Sequence, residues 1–464
     1  MATTVRETAR AVDPEIRRAE ILRRAETAGL RLVRFLYCDN DGIIRGKSSS
    51  VTTLKDRLET GIGLTLAMQA FTMLDHLAEV DGMGPVGEIR LIPDPDTFVV
   101  APYAPHTGVT LVDMVTLDGK PYAADGRAFL KRMVARAAEQ DITILAAFEP
   151  EWSLARREGE TFLPLDDSGC FTTYGMNSSA DVIDEIVAAL ESQGLVVEQY
   201  YAELGWGQQE LSIRHAPALR AADNQLIYRE TVRGIALRHG LYASFAPKPW
   251  GDQAGNGCHL HFSGWDREGT VNRFYEGGKP YGLSDLGRQF MAGILDHLPA
   301  LVALTCASVN SYRRLQPQMW ASAYRVWGPD NREGALRLAS PFRGHEADSL
   351  NVELKSSDAS ANPYIALGGV IAAGLDGIER GLTLAPPVTV DPHTMDEQQR
   401  KAIGADRLPQ SLKEAVGNLK RDRVLMEALG ERLSTSYVAV KELDIEAFAG
   451  QDEAFEFRQH IYKY

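Results

Sequence analysis

The spacing of apolar and polar positions changes character about a quarter of the way along the chain. Near the start, Asp13-Pro14 has the form of an N-cap and first-turn proline, predicting a helix that Gly29 closes. Residues 30–37 read as a strand, Asp39-Asn40-Asp41-Gly42 as a turn and residues 43–51 as a returning strand, together a hairpin. Short apolar stretches divided by Pro and Gly continue to about Met114, and Asp118-Gly119-Lys120-Pro121 is the best boundary. Beyond it, helical periods alternate with strands that carry internal charges. Residues 126–140 read as a helix and 142–154 as a strand. Ser178-Ser179 is expected to cap a helix with Val182, Ile183, Ile186, Val187 and Leu190 on one face, ended by Gly194. Asn362-Pro363 opens a helix over 364–380 whose apolar and small residues predict burial, and the last 60 residues read as charged helices. The expected organisation is a small mixed domain over 1–118 and a larger α+β domain over 119–464. No internal repeat or low-complexity tract interrupts it.

Composition narrows the function. The 464 residues are 44% hydrophobic and 24% charged, the balance of a globular protein with a sizeable core. Lys and Arg number 49 against 63 Asp and Glu, a net charge of −14, which argues against nucleic acid or anionic membrane as the main partner. Cys38, Cys170, Cys258 and Cys306 lie far apart with no CxxC, so neither a disulfide framework nor structural zinc is expected. The longest apolar run, residues 365–375, is stopped by Asp376 and is too short to span a bilayer. Acidic residues near the start argue against a transit peptide, and the reading is a cytoplasmic protein.

Chemistry concentrates on strands with charges on one face. Gly42-Ile-Ile-Arg-Gly-Lys47-Ser48 resembles a phosphate loop, but only three residues separate its glycines and it sits in a hairpin, so it is set aside. Phe148-Glu149-Pro-Glu151-Trp152 projects two carboxylates to one side. Glu203 and Glu210 flank a Gly-rich turn that can return both to one place. His259-Leu-His261 within Gly255-Asn-Gly-Cys-His-Leu-His-Phe-Ser263 repeats the spacing with imidazoles, and Glu353-Leu-Lys355 repeats it again. A solvated strand face explains any one pair equally well; the apolar neighbours Ala146, Ala147, Phe148, Trp152, Trp206 and Leu354 are expected to be buried and weigh against it. Five carboxylates with a histidine in one cavity need cations among them, and the donor set suits Mg²⁺ or Mn²⁺ better than zinc. Arg313-Arg314, Asn331-Arg332 and Arg337 supply the guanidinium groups that polyphosphate requires. Together these features suggest an ATP-using enzyme without a phosphate loop.

The ordered series Glu-Pro-Glu, Glu-(x)6-Glu with an internal Gly-Gln, Gly-Asn-Gly-x-His-x-His-x-Ser, Asn-Ser-Tyr-x-Arg-Leu, Asn-Arg and Asn-Pro-Tyr resembles the glutamine synthetase family over most of the chain. The resemblance implies a β-grasp-like N-terminal domain and a catalytic domain around an open antiparallel barrel, in subunits that form rings, expected as a homododecamer, with active sites shared between neighbours. It implies one metal on Glu151, Glu203 and Glu210 and another on Glu149, His259 and Glu353. It places His261, Ser263, Arg332 and Arg337 on ATP, and Gly255, Arg314 and Lys355 on glutamate. Arg332, Arg314 and Trp320 are the expected catalytic residues. The implied reaction phosphorylates the γ-carboxylate of glutamate and displaces phosphate with an amine.

Two departures bear on the amine. Ammonium-using members carry an Asp in Phe-Asp-Gly-Ser-Ser, where this chain has residues 64–68, Leu-Thr-Leu-Ala-Met; they also carry a Glu where this chain has Trp320. Lys355 stands where the family usually has an Arg, and can meet a carboxylate only as a point charge. Thr65 and Trp320 therefore define an amine subsite short of two carboxylates, where ammonium would find neither counter-charge nor proton acceptor. The expected nucleophile is a small alkyl, hydroxyalkyl or aryl amine, as in γ-glutamylamide synthetases. Arylamines gain from being neutral near pH 7; polyamines fit less well, with Asp75 and Glu79 as unplaced acidic candidates. The alternatives are an authentic glutamine synthetase whose proton acceptor is Asp75 or Asp81, and a catalytically silent homologue.

Overall fold

Residues 14–464 are described by the computed structural model; the cap expected at Asp13 lies outside them. The first hairpin forms as β1 (Leu32–Cys38) against β2 (Ile44–Ser50), with Cys38 opposite Ile44. With β3 (Ile62–Thr65), β4 (Glu88–Pro93), β5 (Val99–Val100) and β6 (Thr107–Val115) it makes a mixed sheet in the order β2-β1-β6-β4-β3, β5 pairing β6. The parallel pair β1/β6 lies inside it. Alternation along β4, with Ile89 and Leu91 buried, turns one face to the helices Pro14–Thr27 and Leu54–Thr60, whose Ile21, Ala25, Leu54 and Leu58 fill the core.

The hairpin turn departs from expectation. Three consecutive polar residues would ordinarily be solvated, yet Asp39, Asn40 and Asp41 are at most 1% exposed. They are enclosed by Arg45 of the same hairpin and by distant parts of the chain that supply the countercharge of Asp41 and further donors. Arg45 pairs with Asp39 at 2.5 Å and Lys441 pairs with Asp41. Asn362 Nδ2 donates to the carbonyls of Cys38 and Asp39 at 3.2 and 3.0 Å, and Tyr464 Oη to that of Asp41 at 2.7 Å. Gly42 (φ +76°) is obligatory, because a Cβ there would lie 2.0 Å from Ser360 O. The phosphate-loop lookalike is thus a hairpin strand.

The larger sheet is built on one long strand, β7 (Thr143–Glu158). The others are β8 (Thr161–Pro164), β9 (Val197–Ala202), β10 (Gln208–Ile213), β11 (Ala216–Pro217), β12 (Tyr242–Ser244), β13 (Cys258–Trp265), β14 (Tyr324–Pro329), β15 (Gly334–Leu338) and β16 (Val352–Leu354). Their order is β14-β15-β16-β13-β7-β10-β9, with β8, β11 and β12 also on β7, and only β14/β15 run parallel. The sheet is open and barrel-like, and helices surround it. The expected helices appear as Gly126–Glu139, Ala180–Ser192 and Pro363–Glu379, and four helices between Leu412 and Lys463 end the chain. The helix Pro363–Glu379 is buried from Pro363 to Gly377, as its composition predicts. Ser179 differs: its hydroxyl makes no cap bond but donates to Gly175 O at 3.1 Å and meets Tyr200 Oη and Gln209, because a short helix, Thr173–Ser178, precedes it.

Candidate active site

Sheet register brings the charged pairs together. Glu210 on β10 lies opposite Glu151 on β7, His259 on β13 opposite Glu149, and His261 opposite Glu353 on β16, which in turn faces Arg337 on β15. Because side chains alternate, Glu149 and Glu151, then His259 and His261, then Glu353 and Lys355 all project to one side. His261 Nε2 is 3.2 Å from Glu149 Oε2, and its Nδ1 is 2.9 Å from Asn351 Oδ1. Both ring nitrogens face acceptors, so both carry protons. His259 Nδ1 lies 3.2 Å from Glu353 Oε1, while its Nε2 faces Lys355 Nζ and Arg314 Nη2, each at 3.3 Å. Two cationic donors on Nε2 require a lone pair there, so the proton sits on Nδ1.

Burial opposes ionisation of every carboxylate here. Glu149 is nonetheless held at about 2 by the hydrogen bond and charge of His261, and Glu353 at about 2 by Lys355 and the two imidazoles. Burial and the charges of Glu149 and Glu151 push Glu210 up to about 11. Burial and Glu151 push Glu203 up to about 7, and burial raises Glu151. His261 rises to about 9 on Glu149 despite its burial; burial and Lys355 hold His259 well below its usual range. A site that keeps five carboxylates together at this cost is suited to divalent cations. Glu149, His261 and Glu353 each bring a ligand atom within 4.8 Å of the others, so the imidazole in this triad is His261 and not the expected His259, whose Nδ1 faces Glu353; Glu353 Oε2 accepts no hydrogen bond, though Arg337 Nε is 3.0 Å away. An oxygen-rich set with imidazole fits Mg²⁺ or Mn²⁺.

Supporting residues hold the cluster in shape. Gln208 Nε2 and the amide of Gly257 both donate to Glu151 Oε2, at 2.8 and 2.9 Å, and Gln208 also reaches Gly255 O at 3.0 Å. Buried Asn256 is fixed by Ser153, Ser244 and Ala246. Tyr201 donates to Glu210. Asn310 and Arg313 are gripped by Glu456 at 2.9 and 2.6 Å, which fixes the turn carrying Arg314.

The whole arrangement has known counterparts. The glutamine synthetase catalytic-domain profile matches residues 123–460 and the glutamine synthetase N-terminal-domain profile matches residues 17–122. The chain belongs to the glutamine synthetase family. A gamma-glutamylpolyamine synthetase of Streptomyces coelicolor is 38% identical over 444 residues, 95% of each chain. A glutamine synthetase of Pyrococcus abyssi is 34% identical over 92% of this chain and 93% of its own. Among solved structures, a novel glutamine synthase homologue (33% identity, TM-score 0.83) covers 94% of this chain and 99% of its own, and a GmaS–ADP complex (29%, TM-score 0.83) covers 94% and 98%.

The remaining residues that the glutamine synthetase pattern marks are more dispersed. Ser263 follows on β13, its hydroxyl accepting from Trp265 Nε1 at 2.9 Å. Arg332 is exposed and forms no ion pair among the described residues. Trp320 is 62% exposed, in the loop that follows Arg314. Trp206, expected to be buried, proves 44% exposed, in the turn between β9 and β10. Thr65 is on the edge strand of the other sheet, donating to Gly84 O at 3.3 Å, and is not brought to the cluster within one chain. Asp75 is paired with Arg45 at 2.7 Å. One carboxylate escaped the sequence reading: Glu333, 9% exposed, accepts the backbone N–H groups of Gln318 and Trp320. Its only sequence signal is adjacency to Arg332. No helix among the described residues is long and apolar enough to cross a membrane.

Proposed function

We propose that this glutamine synthetase family member is an ATP-dependent ligase that joins the γ-carboxylate of glutamate to a primary organic amine. Glutamate is held by Arg314, Lys355 and the Gly255 loop, and ATP by His261, Ser263, Arg332 and Arg337. A γ-carboxylate oxygen attacks the γ-phosphorus and the bond to ADP breaks. The amine nitrogen then attacks the acyl carbon, phosphate leaves, and the nitrogen gives up its proton. Two divalent ions, one on Glu151, Glu203 and Glu210 and one on Glu149, His259 and Glu353, would neutralise phosphate charge. Arg314 and Arg332 steady the anions, and Trp320 shapes the entry of the amine.

The observation that carries the amine is the loop after Arg314, which presents an indole and no side-chain carboxylate at position 320. The names of the Streptomyces coelicolor relative and of GmaS support the same branch. The exposed indole of Trp320 can meet an alkylammonium, polyamines included, by cation–π contact as well as it can stack on a neutral arylamine. Thr65 reaches the subsite only from a neighbouring copy, so the reading includes ring assembly, as a homododecamer in the cytoplasm. The test is ADP release with glutamate and methylamine, ethanolamine, aniline, a diamine or ammonium, compared by kcat/KM. Ammonium as the best substrate overturns the proposal.

A further inference from the structure

The Trp320 loop does not hold its own shape. Gln318, Trp320 and Ser322 have φ of 58°, 55° and 63°, so three non-glycine residues in five occupy the left-handed region. The ends of the loop are anchored by buried Leu315 and Ala321, while Met319 and Trp320 at its tip are 44% and 62% exposed. Each left-handed residue is tied to the same short turn. Glu333 Oε2 accepts from Gln318 N at 3.2 Å and Glu333 Oε1 from Trp320 N at 2.9 Å; Ser322 Oγ donates to Arg332 O at 3.0 Å. The turn is itself fixed, since Asn331 Oδ1 accepts from Glu333 N at 3.0 Å and Asn331 Nδ2 donates to Val388 O at 2.8 Å. Glu333 has no ion pair among the described residues, and both its oxygens are committed to the loop.

We propose that Glu333 is the positioning residue of the amine subsite: its carboxylate holds the 316–322 loop, and Trp320 with it, on the turn that carries Arg332. This rests on the reading of Trp320 as the amine-facing residue. The N–H groups of the two residues whose own φ angles are strained meet one anion, which is the stronger kind of acceptor and the one best able to hold backbone away from its preferred region. The amine and triphosphate sites then share a single strap, and the shape of the first depends on the second.

Glu333→Gln keeps the size of the side chain but leaves one N–H without an acceptor and the other on a neutral oxygen. The expected result is an amine KM raised about tenfold, with kcat at saturating amine and the KM for ATP within about twofold. Amide hydrogen exchange over 316–322 is expected to quicken. Gln318→Gly in the same background recovers part of the amine KM, because glycine takes φ 58° without steric cost. A merely structural role would lower the thermal midpoint and the active fraction without moving the amine KM. If Glu333→Gln does not fold, Glu333→Asp, one methylene shorter, is read in the same way. Unchanged exchange over 316–322 overturns the strap; faster exchange with unchanged amine KM overturns its assignment to the amine subsite. If the parent enzyme turns over no amine at all, the ligase reading falls, and the exchange arm still decides whether Glu333 holds the loop.

Discussion

Gly257 lies where three of the proposed functional groups meet. A Cβ at this position would sit 2.5 Å from Arg314 Nη2, 2.8 Å from His259 Nε2 and 3.0 Å from Glu151 Oε1. The backbone there is not left-handed, so alanine meets no conformational penalty and the perturbation is confined to the side chains. Carbon–nitrogen contacts relax near 3.5 Å. The guanidinium of Arg314 therefore has to retreat by roughly 1 Å, and the imidazole by somewhat less. Misplacement of that size typically costs about 100-fold in rate, or about 2.7 kcal/mol of transition-state stabilisation. Gly257→Ala should lower kcat/KM by about that factor in an ADP-release assay with glutamate and the best amine. Its thermal midpoint should stay within about 2 °C, since only side-chain ends move. A kcat/KM within threefold of the parent would show that Arg314, His259 and Glu151 do not act together at this point. A large fall in the midpoint would show that the damage is to folding and not to the site.

Two other outcomes follow from the same geometry. Glu353→Gln removes the carboxylate on which both imidazoles converge and should weaken Mn²⁺ binding by about 10- to 100-fold in calorimetric titration, with the fold retained by circular dichroism. His297 is clamped between Asp422 at 2.6 Å and Asp376 at 2.9 Å, and Asp376 also pairs with Arg380. Burial opposes the charge on this imidazole, but the two carboxylates outweigh it and raise its pKa above the usual 6.5. A raised histidine pKa stabilises the fold fully below about pH 6.5, and the contribution is lost as pH climbs through the native value. His297→Gln should therefore cost about 1.5–3 kcal/mol at pH 6 and progressively less toward pH 9, measured by denaturant midpoint. Equal losses at both pH values would refute the clamp.

The spacing of Glu149 with Glu151, His259 with His261 and Glu353 with Lys355 is enough to put each pair on one strand face. It says nothing about which strand lies beside which. The order β10-β7-β13-β16-β15 depends on connections through whole helices, and it is this order that merges three pairs into one cluster. Helix positions were legible where capping and period coincide, as at Asn362-Pro363. They were less so at Ser179, where a neighbouring helix and Gln209 take the hydroxyl. Glu333 was hidden because it acts on backbone N–H groups, which no side-chain motif marks. The acidic turn was assigned its shape but not its surroundings, because Lys441, Asn362 and Tyr464, which enclose it, come from remote segments.

That turn has a consequence for how the chain is made. Asp41 and Lys441 are both buried, and 400 residues separate them. At synthesis rates of about 5–20 residues per second, roughly 20–80 s pass between the emergence of the aspartate and that of its lysine. During that interval Asp39 can pair with Arg45 of the same hairpin but the carboxylate of Asp41 lacks Lys441, so the strands can pair while the tip stays hydrated. Burial of the Asp41 carboxylate against the catalytic body is therefore completed only after the last long helix has emerged.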